Sequence, residues 1–407
     1  MSQKKVAIAT LHRERNYGSF LQAYALKKFI DGIGGYNSEV LRIYPAQDSS
    51  VGSRLHRALA EGGVKLAVSR FVKKIQSKYF YDRNVRLRNT ILGAAADNIA
   101  GEEMYGNVSE LAGANNLYDI FVAGSDQIWG DSGSDLNAIS MYYLKGINKP
   151  KISYAPSIGG GANFDRSLVS HIIPLLNEFK HISVRESEGK KFLQEILGGG
   201  KPVYQAIDPT LLIPAEEWGY GLKKENESFK YKNEKYIFVY LLGSSNEHRR
   251  FIKKFARAKN LKIISFPYLQ SRSKADARFA DINIYDASPN QCLLYIKNAE
   301  YVFTDSFHCT VFSGLFHKEF YVFKKQNHGS SVFENQFARL EDLLELFASR
   351  SRYIPRLDIN MAELDKIATD WSLLDAKLST RREECREWLQ AALESAANDK
   401  NPEEPES

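Results

Sequence analysis

YVFTDSFHCTVFSGLFHKEFYVF, residues 301–323, sets three patterns end to end. Tyr301, Val302 and Phe303 are strand formers; Val311, Phe312 and Leu315 share one face of a helical period; Phe320 to Phe323 form a second short apolar run. The stretch therefore predicts a strand, a helix and another strand. Between the first two stand Asp305 and Ser306, both suited to cap a helix, and His308 falls in that helix's first turn. Polar side chains gathered at the C-terminal end of a strand are where open α/β sheets bind ligands.

The same alternation runs along the chain. VAIAT (6–10) leads to the helix-like SFLQAYALKKFI, then EVLRIY (39–44), a basic helical segment, YDIFVAG (118–124), KISYAP (151–156), HISVR (181–185) and PVYQAI (202–207). A polar, lysine-rich stretch, LKKENESFKYKNEK (222–235), reads as a linker, after which YIFVYLLG (236–243), LKIISFP (261–267), INIYD (282–286), YVFTD and EFYVF repeat the series. Strands alternating with helices imply mostly parallel sheets covered by helices. The expectation is two Rossmann-like α/β domains, residues 1–221 and 236–360, then helices over 361–396 and a disordered acidic tail over 397–407. Ser288, followed by Pro289 and with Gln291 three places on, predicts a capping box.

With 407 residues, 43% of them hydrophobic, the chain can build two sizeable cores. No run of about 18 apolar residues appears, and the start, MSQKKVAIAT, leads straight into a strand, so the expected location is the cytoplasm. Cys292, Cys309 and Cys385 form no C-x-x-C pair, which speaks against disulfides and a thiolate zinc site. The net charge of +6 is concentrated: Ser53 to Thr90 holds ten Lys and Arg against two acidic residues. With Leu55, Leu59, Leu66, Phe71, Val72 and Ile75 threaded through it, this segment suits peripheral contact with an anionic membrane or a polyanionic substrate, the alternative being a solvated helical face. Nucleic acid is not expected, since no nucleic-acid motif accompanies the charge.

Candidate site residues cluster after strands. In NYGSFLQAYAL (16–26), Asn16, Tyr17 and Gly18 open a helix whose amides can bind an anion or a sugar hydroxyl; a plain tight turn at Gly18 is the alternative. In FVAGSDQIWG, Ser125, Asp126 and Gln127 offer hydroxyl, carboxylate and amide groups suited to sugar hydroxyls, and Trp129 can stack on a sugar or sit in a core. Ser157 and glycines follow the strand in ISYAPSIGGG, and Arg185 stands at the end of the strand in HISVRESEG, where it either pairs with Glu186 or Glu188 or grips a carboxylate or phosphate. There is no G-x-G-x-x-G, P-loop, H-E-x-x-H or D-x-D pair, so neither a nucleotide cofactor nor a required metal is expected.

Together NYGSFLQAYAL, FVAGSDQIW, ISYAPSIG, ISVRESEG, DPTLLI (208–213), SPNQCLLYIKNAEYVFTDSFHCTVFS (288–313) and ARLEDLLELF (338–347) resemble the polysaccharide pyruvyl transferase family, in family order over about residues 5–350. The resemblance implies a GT-B-like pair of domains facing a cleft, phosphoenolpyruvate as donor and a pyruvyl ketal on a sugar as product. It implies His308 as proton donor or phosphate ligand, Asp126 as a second catalytic group, and Arg185, Arg339 and Ser306 beside the donor. Asn16, Tyr17, Gly18, Ser125, Asp126, Gln127 and Ser157 then belong to the acceptor, a lipid- or nucleotide-linked glycan. Some relatives carry arginine where this chain has Ser306, which leaves the phosphate to Arg185, Arg339 or backbone amides. Two other readings compete: a GT-B-like glycosyltransferase using a nucleotide sugar, and a non-catalytic glycan-binding or assembly protein.

Overall fold

Short, continuously apolar strands belong where both faces of a sheet are covered, and the central strands of this protein are of that kind: β4 (Ile120–Ala123) and β8 (Tyr236–Tyr240) have no exposed residue. The computed structural model describes residues 3–13, 16–45, 64–130, 135–159, 164–269, 275–276, 278–326 and 337–399. In the first half, β1 (Lys4–Ala9), β2 (Tyr36–Ile43), β3 (Ala100–Tyr105), β4 and β5 (Lys151–Ser153) form a parallel sheet in the order β3-β2-β1-β4-β5. A parallel pair, β6 (Ile182–Val184) and β7 (Val203–Gln205), continues its edge through a bridge between Ile152 and His181. In the second half, β8, β9 (Lys262–Ser265), β10 (Ile282–Asn283), β11 (Tyr301–Thr304) and β12 (Glu319–Val322) form a second parallel sheet, ordered β10-β9-β8-β11-β12. Both orders reverse direction beside the first strand, so each sheet has a crevice at the C-terminal ends of its strands.

The opening stretch forms as its residues dictate: strand Tyr301–Thr304, helix Phe307–Leu315 and strand Glu319–Val322. Ser306 is the helix cap, accepting from Cys309 N, whereas Asp305 turns away to accept from the amides of Leu242 and Gly243. The capping box at Ser288 and Gln291 is present in full.

Three devices join the halves. The stretch 222–235, expected as a linker, begins inside the helix Ala215–Glu227, and Leu222 and Tyr231 are buried. The long helix Val64–Asp97 carries Arg88 into the junction, where it stacks on Tyr17 and Phe266 and donates to the carbonyls of Pro267 and Ile284. Arg88 is thus a buried clamp and no part of a solvated basic face. The rest of the basic segment divides: residues 53–63 lie outside the described residues, as do 400–407 of the acidic tail, while Arg83 and Arg86 are exposed. Finally, past Met361–Leu364, the helix Trp371–Ala397 returns to the first half, where Trp388 stacks on Tyr204 and Cys385 accepts from Ile207 N. Among the described residues, no helix is long and apolar enough to cross a membrane.

Candidate active site

The C-terminal ends of β4, β6, β7 and β11 converge on one buried cluster. Arg185 follows β6 and is 5% exposed; its Nη1 donates to Asp208 Oδ2 at 2.6 Å and its Nε to Glu186 at 3.3 Å. Asp208 follows β7, is 1% exposed and caps the turn Pro209–Leu211 through Thr210, whose amide and hydroxyl both donate to Oδ1. Its other oxygen also accepts from Ser125 Oγ at 3.3 Å and lies 3.4 Å from Nε2 of His308, a residue of the other half. That imidazole nitrogen is buried with no well-formed hydrogen bond. Burial alone would raise the Asp208 carboxyl, but His308, Arg185 and the Thr210 hydroxyl hold it well below the usual carboxylate range. Together they favour the charged form of Asp208.

Gly18 supplies the room for this contact. A Cβ at that position would stand 2.1 Å from His308 Nδ1 and 2.9 Å from His308 Cβ. Its amide is donated to Asn16 Oδ1, which also accepts from Tyr240 Oη across the domain junction. The glycine is therefore there for close approach, and its amide is not free for an anion. Tyr17 faces the junction as well, donating its hydroxyl to the carbonyl of Ala287. Ser19, unremarked in the sequence, donates to Asp126 Oδ2 at 2.8 Å. Asp126 itself has φ 66°, a left-handed conformation that a non-glycine residue adopts only when its surroundings impose it. Here the imposition is a bridge to Pro156 and the amide of Ser157, which donates to Asp126 O. Ser157 Oγ accepts from Gly159 N, and Gln127 lies beside Gly159 at the partly open rim.

A second group lines a cavity of about 320 Å³ next to this cluster, bounded by Arg185, Asp208, Phe307, Arg339, Asp342 and Arg381 among others. The Phe307 ring stands under two guanidiniums, Arg185 at 4.5 Å and Arg339 at 5.9 Å. Arg185 Nη2 and Arg339 Nε are buried and have no hydrogen-bond partner among the described residues. Burial, then the like charge of Arg185, lowers Arg339 to about 10, while Glu186, Asp208 and Asp126 raise Arg185 against its own burial. Two close cations with unspent N–H groups make a site for a compact anion. Asp342 closes one side by accepting from Ser187 N at 2.7 Å and Ser187 Oγ at 2.9 Å, across the halves.

The structure brings His308, Arg185, Arg339, Ser125 and Asp126 into one neighbourhood and gives Ser306 to helix capping. It takes Trp129 out: the ring is fully buried, stacked on Tyr143, and cannot meet a sugar. His317 is a half-exposed partner of Asp375. Asp208 escaped the sequence reading although it follows a strand just as Arg185 does, a position that was signal enough. Arg381, which bonds Tyr204 Oη and the carbonyl of Gln205, lies on the long returning helix, where nothing local marks it. No group of metal-type ligands occurs among the described residues.

The fold is shared with UDP-GlcNAc 2-epimerases, which have the GT-B architecture. The enzyme from Methanocaldococcus jannaschii superposes with a TM-score of 0.53 at 10% identity, covering 96% of this chain and 100% of its own. That from Rickettsia bellii gives 0.50 at 11% identity, covering 98% of each chain. At such identity the likeness concerns the fold alone. No curated protein matches the sequence. The family model described as polysaccharide pyruvyl transferase matches residues 16–326, from Asn16 through the whole His308 helix, and the chain belongs to that family.

Proposed function

We propose that this protein transfers the pyruvyl group of phosphoenolpyruvate to two hydroxyls of one sugar in a surface-polysaccharide precursor, forming a ketal and releasing phosphate. The observation that carries the reading is the pair of buried, unspent guanidinium N–H groups of Arg185 and Arg339 flanking Phe307, beside His308. They suit the carboxylate and phosphate of a small dianion.

In the reaction, the His308 imidazolium protonates C3 of the donor, and the electron-poor C2 is attacked by the first sugar hydroxyl, whose proton restores the imidazolium. The second hydroxyl then attacks C2 as the C–O bond to phosphate breaks, and its proton leaves with the phosphate. Asp126, tied to Ser19, faces the first-half side, where the acceptor hydroxyls would be held. The arginines bind and orient the donor and offset the charge that gathers on the departing phosphate.

Incubation with phosphoenolpyruvate and candidate glycans should release phosphate and add a pyruvyl mass to the acceptor. Phosphoenolpyruvate should raise the melting temperature, since it binds the folded chain, and EDTA should leave both effects intact. A shift with uridine diphosphate and none with phosphoenolpyruvate would assign the site to a nucleotide sugar instead.

Arg185→Lys keeps the charge but loses the planar fork, so calorimetry should show phosphoenolpyruvate affinity falling by about tenfold or more. Unchanged affinity would mean that Arg185 serves only Asp208 and Glu186.

A further inference from the structure

The mechanism above uses His308 but leaves unexplained the fully buried carboxylate that meets it from the other half of the chain. Asp208 Oδ1 is spent on Thr210, while Oδ2 is shared by Arg185 Nη1 at 2.6 Å, Ser125 Oγ at 3.3 Å and His308 Nε2 at 3.4 Å. His308 Nε2 is buried and makes no other hydrogen bond among the described residues. On the opposite edge of the ring, Nδ1 packs against Gly18, in the place where a Cβ would stand 2.1 Å from it. The imidazole is therefore held between the Asp208 carboxylate on one edge and the bare backbone of Gly18 on the other.

We infer that Asp208 is the positioning residue of this site: it faces Nε2 of His308, receives its proton and fixes the ring across the domain junction. The partner of one ring nitrogen decides which nitrogen of a neutral histidine carries the proton. Sharing Oδ2 with Arg185 links the ring's orientation to the guanidinium that faces the donor cavity, so the acid and the anion site are set by one carboxylate.

The other charges around His308 do not duplicate this role. Arg185 and Arg339 lie over Phe307, and Asp126 is bonded to Ser19. Asp305 is held by the amides of Leu242 and Gly243, and Lys325 lies near Asp305 and Arg339. Only Asp208 is in ion-pair contact with the imidazole among the described residues.

The inference rests on the pyruvyl-transfer reading for its chemistry, but the placement of the proton can be tested without turnover. The test is Asp208→Asn in the full chain, with the imidazole nitrogen signals of His308 followed by NMR. In the wild type the proton of the neutral ring should sit on Nε2, facing Asp208, and in the variant that tautomer preference should be lost. If the wild type turns over phosphoenolpyruvate, kcat of the variant should fall more than its affinity for phosphoenolpyruvate. An unchanged His308 tautomer in a folded Asp208→Asn would overturn the inference, whereas absence of turnover in the wild type would count only against pyruvyl transfer. Should Asp208→Asn not fold, Asp208→Glu, which keeps the charge but displaces it, should keep the Nε2 proton while lowering kcat. A wild-type ring protonated on Nδ1 alone would also overturn it.

Discussion

His308→Gln should abolish turnover, lowering kcat by at least about 100-fold and up to about 10,000-fold, the range that a positioned proton donor contributes. Glutamine has a similar reach and can fill the place against Gly18, yet it has no ionisable proton for C3 of the donor. Because the neighbouring carboxylate keeps its bonds to Arg185, Thr210 and Ser125, the fold should survive, with a melting temperature within a few degrees of the wild type. Rate and melting must be measured on the same preparation. Near-normal turnover would remove His308 from the chemistry, and a collapsed fold would make it a packing residue.

The second large effect is expected at a residue that carries no reacting group. Gly18→Ala puts a methyl 2.1 Å from Nδ1, 2.5 Å from Cγ and 2.9 Å from Cβ of His308. The Cβ is fixed to the helix Phe307–Leu315, so a ring flip cannot relieve all three contacts, and the two halves must part by a fraction of an ångström or more. Misplacement on that scale costs about 100-fold in rate, and kcat/KM should fall by at least that much. Overpacking costs about 1–3 kcal/mol, so the melting temperature should drop by a few degrees. Combining Gly18→Ala with His308→Ala should restore the melting temperature and leave the chain inactive, because the two changes share one contact. Additive losses in the double variant would show that Gly18 matters for its own backbone and not for the histidine.

Much of this architecture is written locally. The stretch 301–323 predicts its strand, helix and strand because apolar periodicity and capping act within a few residues. β3 was not legible: AGEEMY has no apolar alternation, and it pairs only with β2 at the sheet edge. Arg185, His308 and Arg339 could be named because they follow strands or open helices in a recognisable family order. What could not be read is how they meet. Nothing near Gly18 announces a histidine from the far end of the chain, and Trp129 looked able to stack on a sugar until its partner Tyr143 was in view. Arg88 belongs to a run of charges that reads as surface, yet its partners are carbonyls of a loop almost two hundred residues away. Contacts of that kind are fixed by topology, which no local window contains.

The return of the helix Trp371–Ala397 to the first half also determines how the molecule can move. The chain passes between the halves once near the helix Ala215–Glu227 and again before Trp371, where His317 stacks on Trp371 and bonds Asp375. Two bodies joined by one strand of chain can swivel, slide and bend; joined at two separate places, they keep mainly the rotation about the line through both, as a door does on paired hinges. Donor and acceptor would then enter by a single swing, and each closure would bring Gly18 back to the same face of His308. The same double passage makes the halves poor candidates for expression as separate fragments. A cut before Trp371 would strip the cover from Tyr204 and Ile207 while leaving both sheets intact.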